Sequence, residues 1–247
     1  MSERIRWKDR PAVILCPGGA YRFTNDRESE PLACAFLAEG YHVFSLRYST
    51  EKGIYPAALE QLARTVRLIR QNAGEWHVRK DAIVLAGFSA GGHLAAEYAC
   101  KWDRPALSAA AEAEREELRP NALVLGYPVI TAGAAAHEES IHNLLGAQDT
   151  PKMRRSVSLE TQVSGCVPPV FLWHTATDEM VNAENSLLFA SALAREKIPY
   201  ELHIYGSGVH GVSLGTRATV GEEKHVSHGC AGWFAQAARF LERVLHE

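Results

Sequence analysis

The sequence predicts an α/β fold in three layers, a mostly parallel central sheet with helices on both faces. Two observations carry this. Short apolar runs of strand length alternate with amphipathic runs of helical period along the whole chain, and continuous β–α alternation gives a parallel sheet covered on both sides. The composition is that of an ordinary globular protein, 47% hydrophobic and 22% charged over 247 residues. A chain of that length can bury a large core as one domain spanning 1–247.

Ala12-Val13-Ile14-Leu15 reads as a short buried strand ending at Pro17-Gly18-Gly19. Residues 31–39 read as a helix, with Pro31 in its first turn and Gly40 just past its end. A strand follows at 41–46. Residues 57–72 have helical spacing, because Leu59, Leu62, Val66 and Ile69 share a face that Arg64, Arg67 and Arg70 largely avoid. The strand 82–86 leads into a helix running from Gly92 through Leu94, Ala95, Ala96 and Tyr98. Further strands are predicted at 122–127, 169–174 and 200–205, with a helix at 184–197 that stops before Pro199. Trp233, Phe234, Ala237, Phe240, Leu241, Val244 and Leu245 give a last helix its apolar face.

Two segments break the rhythm. Residues 103–119, rich in Ala and Glu, read as a solvated helix extension. Residues 131–165 contain Gly133, Pro151 and Gly165 and read either as a cap or lid over a site or as a surface excursion without a role.

A formal net charge of −3 and the lack of a basic run leave no nucleic-acid footprint. No apolar run reaches the roughly 18 residues that span a membrane, and the charged first ten residues lack the apolar stretch of a signal peptide. The five cysteines, Cys16, Cys34, Cys100, Cys166 and Cys230, are far apart and form no Cys-x-x-Cys pair. Reduced thiols in a cytoplasm are therefore expected. His137 and His142 flank two glutamates but stand five residues apart, where a zinc-binding helix needs four. Neither a metal nor another cofactor is expected. The oligomeric state is left open, a homo-oligomer included.

The chemistry centres on Gly87-Phe88-Ser89-Ala90-Gly91, a Gly-x-Ser-x-Gly between a strand and a helix, which is the setting of a nucleophile elbow. Side chains at either glycine would crowd the strained serine. A base is expected at His210, in a Gly-rich loop just beyond the last strand. His225 and His228 stand as alternatives. His93, one helical turn after Ser89, points back along its helix as a support. The acid is expected at Asp178, in the loop after strand 169–174, where it would orient the imidazole. Glu179 and Glu184 are fallback acids, and a capping role is the plain alternative for Asp178. The backbone N–H groups of Gly19, Ala20 and Ala90 are the expected oxyanion hole. Tyr21, Tyr48 and Tyr127 follow strands and suit either the pocket or the core.

With these pieces placed, the chain resembles the α/β-hydrolase superfamily over nearly its whole length, and within it the small esterases grouped with acetyl-xylan and other carbohydrate esterases. The stretches that carry the resemblance are Pro17-Gly18-Gly19-Ala20-Tyr21 with Asp26-Arg27-Glu28, Phe44-Ser45-Leu46-Arg47-Tyr48, Gly87 to Ala95, His174-Thr175-Ala176-Thr177-Asp178 with Glu184-Asn185-Ser186, and Gly208-Val209-His210-Gly211. The order Ser89, Asp178, His210 is the α/β-hydrolase order. The resemblance implies Ser89 as nucleophile, His210 as base and Asp178 as acid. It also implies small acyl esters as substrates, acetylated sugars or short xylo-oligosaccharides foremost. Three departures stand out. Ala20 replaces a third glycine, Asn182 stands where Pro is common, and the short stretch before the first strand implies that leading antiparallel strands are reduced or absent. An amidase, formamidase or peptidase on the same three residues, and a catalytically silent binding protein on the same fold, are the alternative readings.

Overall fold

The apolar runs become six strands among the described residues. They are β1 (Arg10–Cys16), β2 (His42–Ser45), β3 (Val78–Phe88), β4 (Ala122–Gly126), β5 (Val170–Thr175) and β6 (Tyr200–Tyr205). The computed structural model describes residues 8–219, 222–227 and 229–246. The strands form one sheet in the order β2-β1-β3-β4-β5-β6, every neighbouring pair parallel. The amphipathic runs become α1 (Glu30–Ala38), α2 (Ala57–Gln71), α3 (Ala90–Lys101), α4 (Pro105–Ala111), α5 (Glu138–Leu145), α6 (Pro151–Val157), α7 (Glu184–Arg195) and α8 (Trp233–His246).

The period-2 geometry of strands sorts the apolar residues into two cores. Ile14, Leu85, Leu125 and Leu172 face one way, into a core shared with α2, α3 and α7. Their neighbours Leu15, Val84, Val124 and Trp173 face the other, against α1 and α8. Burying each such side chain contributes about 1.5–3 kcal/mol. Burial on both faces is why these strands are apolar throughout rather than alternating.

Residues 103–119 depart from the expected helix extension. α3 ends at Lys101, and Pro105, which has no N–H to give, starts a separate α4. That helix closes at Glu112 in a left-handed conformation, and a 3₁₀ turn follows at Arg115–Leu118. Leu107, Ala111 and Leu118 are buried in the first core, so the segment is docked, not simply solvated. The Arg70 guanidinium holds it through the carbonyls of Glu117 and Arg119.

The sheet order places the site. β1 is flanked by β2 on one side and β3 on the other, so the chain direction of winding reverses between β1 and β3, and α/β sheets hold ligands at such a switch point. Register sets Cys16 beside Gly87, which brings the loop after β1 level with the turn after β3. That turn is tight. α3 starts immediately after Ser89, two residues earlier than its apolar pattern suggests, and its first turn presses on β1. A Cβ on Gly91 would lie 2.0 Å from the Cys16 carbonyl oxygen, and one on Gly87 would lie 2.4 Å from that of Gly91.

Neither clash can relax without moving backbone. Gly91→Ala is therefore expected to destabilise the protein by about 3 kcal/mol, read as a lowered urea midpoint. A midpoint equal to wild type would contradict this packing.

Candidate active site

Ser89 sits at φ 54 and ψ −122, a backbone state that L residues rarely adopt. The surroundings hold it there. Its N–H donates to Gly126 O at 3.1 Å, and its carbonyl accepts the N–H groups of His93 and Val129, each at 3.1 Å. Although Ser89 caps α3, its hydroxyl makes no capping bond. The Oγ is instead aimed outward and lies 2.8 Å from His210 Nε2.

His210 Nδ1 lies 2.7 Å from Asp178 Oδ2. A carboxylate only accepts, so Nδ1 carries the hydrogen and the neutral ring keeps Nε2 bare for the Ser89 hydroxyl. Asp178 has a buried carboxylate that also accepts the N–H groups of Met180 and Val181. His174 Nε2 stands 3.3 Å from the same oxygen, held by the Val181 carbonyl and by Ser186 on the far side of its ring. Burial alone would raise the Asp178 pKa. The hydrogen bonds from His174 and His210, with the Val181 N–H, outweigh it and hold the carboxyl well below the usual range.

The loop after β1 is clamped at successive residues. Pro17 O accepts from the Tyr48 hydroxyl at 2.6 Å, and Gly18 N–H donates to Glu28 Oε2 at 2.7 Å. Ala20 O accepts from the Asn143 side chain at 2.8 Å. The Tyr21 hydroxyl meets His93 Nδ1 at 2.8 Å. Gly19 takes φ +131, where a Cβ would strike Phe23 O at 2.1 Å, and Ala20 takes φ 54. Bonds within the loop are donated by Arg22, Phe23 and Asn25, a set that leaves out Gly19 and Ala20. Ala90 N–H belongs to the first turn of α3, whose amides have no intrahelical partner. Gly19, Ala20 and Ser89 border one cavity of about 590 Å³.

The other residues singled out from sequence fall as follows. His93 is fully buried. Its Nε2 donates to Val157 O at 2.9 Å, so Nδ1 accepts from Tyr21, and burial keeps the ring neutral. It supports the loop from behind. His225 borders the cavity but is engaged with the Glu222 N–H, and His228 lies outside the described residues. Glu179 and Glu184 are both exposed. His137 borders the cavity and caps α5, while His142 pairs with Lys52. Tyr21, Tyr48 and Tyr127 are core residues. The Tyr127 ring stands edge-on to His210 at 5.0 Å. Asn182 turns its oxygen onto Glu184 N–H, a bond Pro could not make, and Asp178 keeps its contact with His210. Residues 131–165 supply His137 and Glu139 to the cavity wall and Asn143 to the loop. Asn143 carries no sequence signal for its role, since its partner is distant in the chain, while Glu28 lies in a stretch that carries the resemblance but had no role assigned to it.

A family model described as BD-FAE matches residues 3–193. Over 209 residues the chain is 36% identical to endo-1,4-beta-xylanase B of Butyrivibrio fibrisolvens, an alignment covering 83% of this chain and 33% of that protein. Among solved structures, an acetyl ester-xyloside bifunctional hydrolase from Caldicellulosiruptor lactoaceticus is 33% identical with a TM-score of 0.83, over 96% of this chain and 84% of that one. A carboxylesterase from Lactobacillus plantarum is 32% identical with a TM-score of 0.87, over 98% and 89%. The chain spans less than half the length of the curated relatives it matches, between 33% and 45%.

The Asp178 carboxylate has a depressed pKa in the fold and about 3.9 when unfolded. Its contribution to stability is complete above about pH 5 and is lost as pH falls toward the folded value. Wild type should thus lose stability on acidification from pH 6 to pH 3 more steeply than Asp178→Asn, measured by urea unfolding at each pH. Parallel slopes would refute this.

Proposed function

The chain belongs to the BD-FAE family and has the three-layer α/β-hydrolase fold, and on that premise we propose that it is a serine esterase that cleaves small acyl esters. The observation that carries the reading is the continuous hydrogen-bonded line from Asp178 through His210 to Ser89, at 2.7 and 2.8 Å. Each member faces the next with the donor and acceptor that the reaction needs.

In this mechanism the Ser89 Oγ attacks the ester carbonyl as its proton passes to His210 Nε2. Asp178 accepts from Nδ1 and stabilises the imidazolium. The carbonyl oxygen, now negative, is met by the N–H groups of Ala90, Gly19 and Ala20 at the positive end of α3. His210 gives its proton to the departing alcohol, leaving an acyl group on Ser89. Water then gives up a proton to His210 and attacks the acyl carbon, and His210 passes that proton to the Ser89 Oγ as the bond to the acyl group breaks and the acid is freed. One such N–H donor is worth about 3 kcal/mol in the transition state.

Ala20 borders the same cavity as Ser89 and adds a methyl where relatives have a glycine, which favours a short acyl group such as acetyl. The rest of the cavity mixes polar and charged side chains, Arg22, Asn25, Glu139 and Lys224, with the apolar Phe23 and Met180. That mixture suits a sugar hydroxyl as leaving group, in keeping with the acetyl ester-xyloside hydrolase among its structural neighbours. Residues 131–165 contribute His137 and Glu139 to the cavity wall. A cytoplasmic setting rests on five free thiols; no helix among the described residues is long and apolar enough to cross a membrane.

Ser89→Ala should abolish hydrolysis of p-nitrophenyl acetate, and Asp178→Asn should slow it by about four orders of magnitude. Turnover surviving in Ser89→Ala would end this assignment. In a screen of acetylated xylo-oligosaccharides, simple acetyl esters, formamides and dipeptide amides, the acetyl esters should be turned over fastest. Amides ahead of esters would replace the esterase by an amidase.

A further inference from the structure

The Ser89 reading uses one buried carboxylate, and the same site contains a second. Glu28 is 1% exposed. Its Oε2 accepts Gly18 N–H at 2.7 Å, and its Oε1 accepts the Tyr127 hydroxyl, also at 2.7 Å. The direction of these bonds is fixed. The Gly18 amide can only donate, and the Tyr127 oxygen is itself occupied by Ser213 N–H at 3.1 Å, so its hydrogen points to Glu28. Both carboxylate oxygens therefore act as acceptors, the wiring of an ionised acid. A proton on either oxygen would face a donor.

The three groups so joined belong to the three parts of the site. Gly18 precedes the Gly19 and Ala20 amides. A Cβ on Gly18 would lie 2.7 Å from both Glu28 Oε2 and the Ser89 Cβ, so carboxylate and nucleophile flank the same peptide. Tyr127 follows β4 and lays its ring edge-on to His210. Ser213 lies three residues beyond His210, and its hydroxyl ties the same loop to Arg27 O at 2.7 Å. We propose that Glu28 is a positioning residue of the esterase: it fixes the Gly18 peptide, and with it the oxyanion loop, and it supplies a second buried negative charge that stabilises the His210 imidazolium.

This rests on the triad reading and adds to it. Burial raises the Glu28 pKa, and the bonds from Tyr127 and Gly18, with the charges of His210 and Arg27, work against that rise. The groups around the pair are Asp178, His137, Tyr127 and Ser89 near His210, and Arg27, Tyr48 and Tyr127 near Glu28. Of these, Asp178 and Glu28 are the anions that can stabilise a protonated His210.

The test compares Glu28→Gln and Glu28→Asp with wild type on p-nitrophenyl acetate across pH, with melting temperatures taken alongside. Glu28→Gln keeps the shape and removes the charge. Its kcat should fall about ten-fold or more with KM changed less than about three-fold. The acid limb of kcat/KM should move to lower pH, because an imidazole with one anion fewer binds its proton less tightly. Glu28→Asp keeps the charge but cannot span both donors, so kcat should fall while the acid limb stays in place. A folded Glu28→Gln enzyme with wild-type kcat and a wild-type acid limb overturns the proposal. If that variant does not fold, Tyr127→Phe decides: kcat should fall at constant KM, and a wild-type kcat overturns it. Ser89→Ala is run in parallel. Turnover in that variant defeats the triad reading itself, whereas undiminished Ser89-dependent turnover in the Glu28 variants defeats only the role of Glu28.

Discussion

Everything in this site depends on one backbone residue held where side chains are rarely tolerated. Ser89 at φ 54 lifts its hydroxyl clear of both β3 and α3, and a strained residue of this kind costs on the order of 1–3 kcal/mol. The offset comes from its neighbours. Three backbone hydrogen bonds fix the Ser89 peptide groups to β4, to α3 and to Val129. Contact between Gly91 and the end of β1 leaves no room for the turn to relax. The same squeeze brings the loop after β1 within reach of Ser89, so the Ser89 turn and that loop are consequences of one packing constraint.

The site contains two buried acids, Asp178 bonded to the His210 ring and Glu28 bonded to Gly18 and Tyr127. A buried carboxylate is costly unless its oxygens are paired. Asp178 is paired with two histidines and two backbone amides. Glu28 is paired with one amide and one phenol. The donors hold the Asp178 carboxyl well below the usual range, while at Glu28 burial outweighs the same kind of pairing and leaves the pKa raised. Around them the loop after β1 is tied at Pro17, Gly18, Ala20 and Tyr21 by side chains from four separate segments. Fixed donors aimed at a developing charge need no reorganisation when the charge appears.

Much of this was legible in the sequence because it has a local signature. Strands buried on both faces read as continuous apolar runs, and β3, β4 and β5 followed directly. Ser89 is marked by flanking glycines, and His210 and Asp178 by their loops after apolar strands. What was not legible acts at a distance. Glu28 belongs to a stretch that carries the resemblance, but its bond to Tyr127, 99 residues away, has no local signature. Asn143 reaches Ala20 across 123 residues. The three tyrosines looked equally suited to pocket or core, and tertiary packing decided for the core. In residues 103–119 the Ala and Glu content masked a break at Pro105 and the buried stripe of Leu107, Ala111 and Leu118.

The bond from Asn143 to the Ala20 carbonyl bears on how such a protein can change its diet. The segment from 131 to 165 borders the cavity, so its shape and length bear on what the cavity can admit. Yet it is not a detachable accessory, because α5 carries a strut of the loop after β1. Insertions before 138 or after 145 leave that strut alone. A wholesale graft of the segment from another enzyme must bring an amide donor at the same height, or the transplanted wall arrives with a slackened centre.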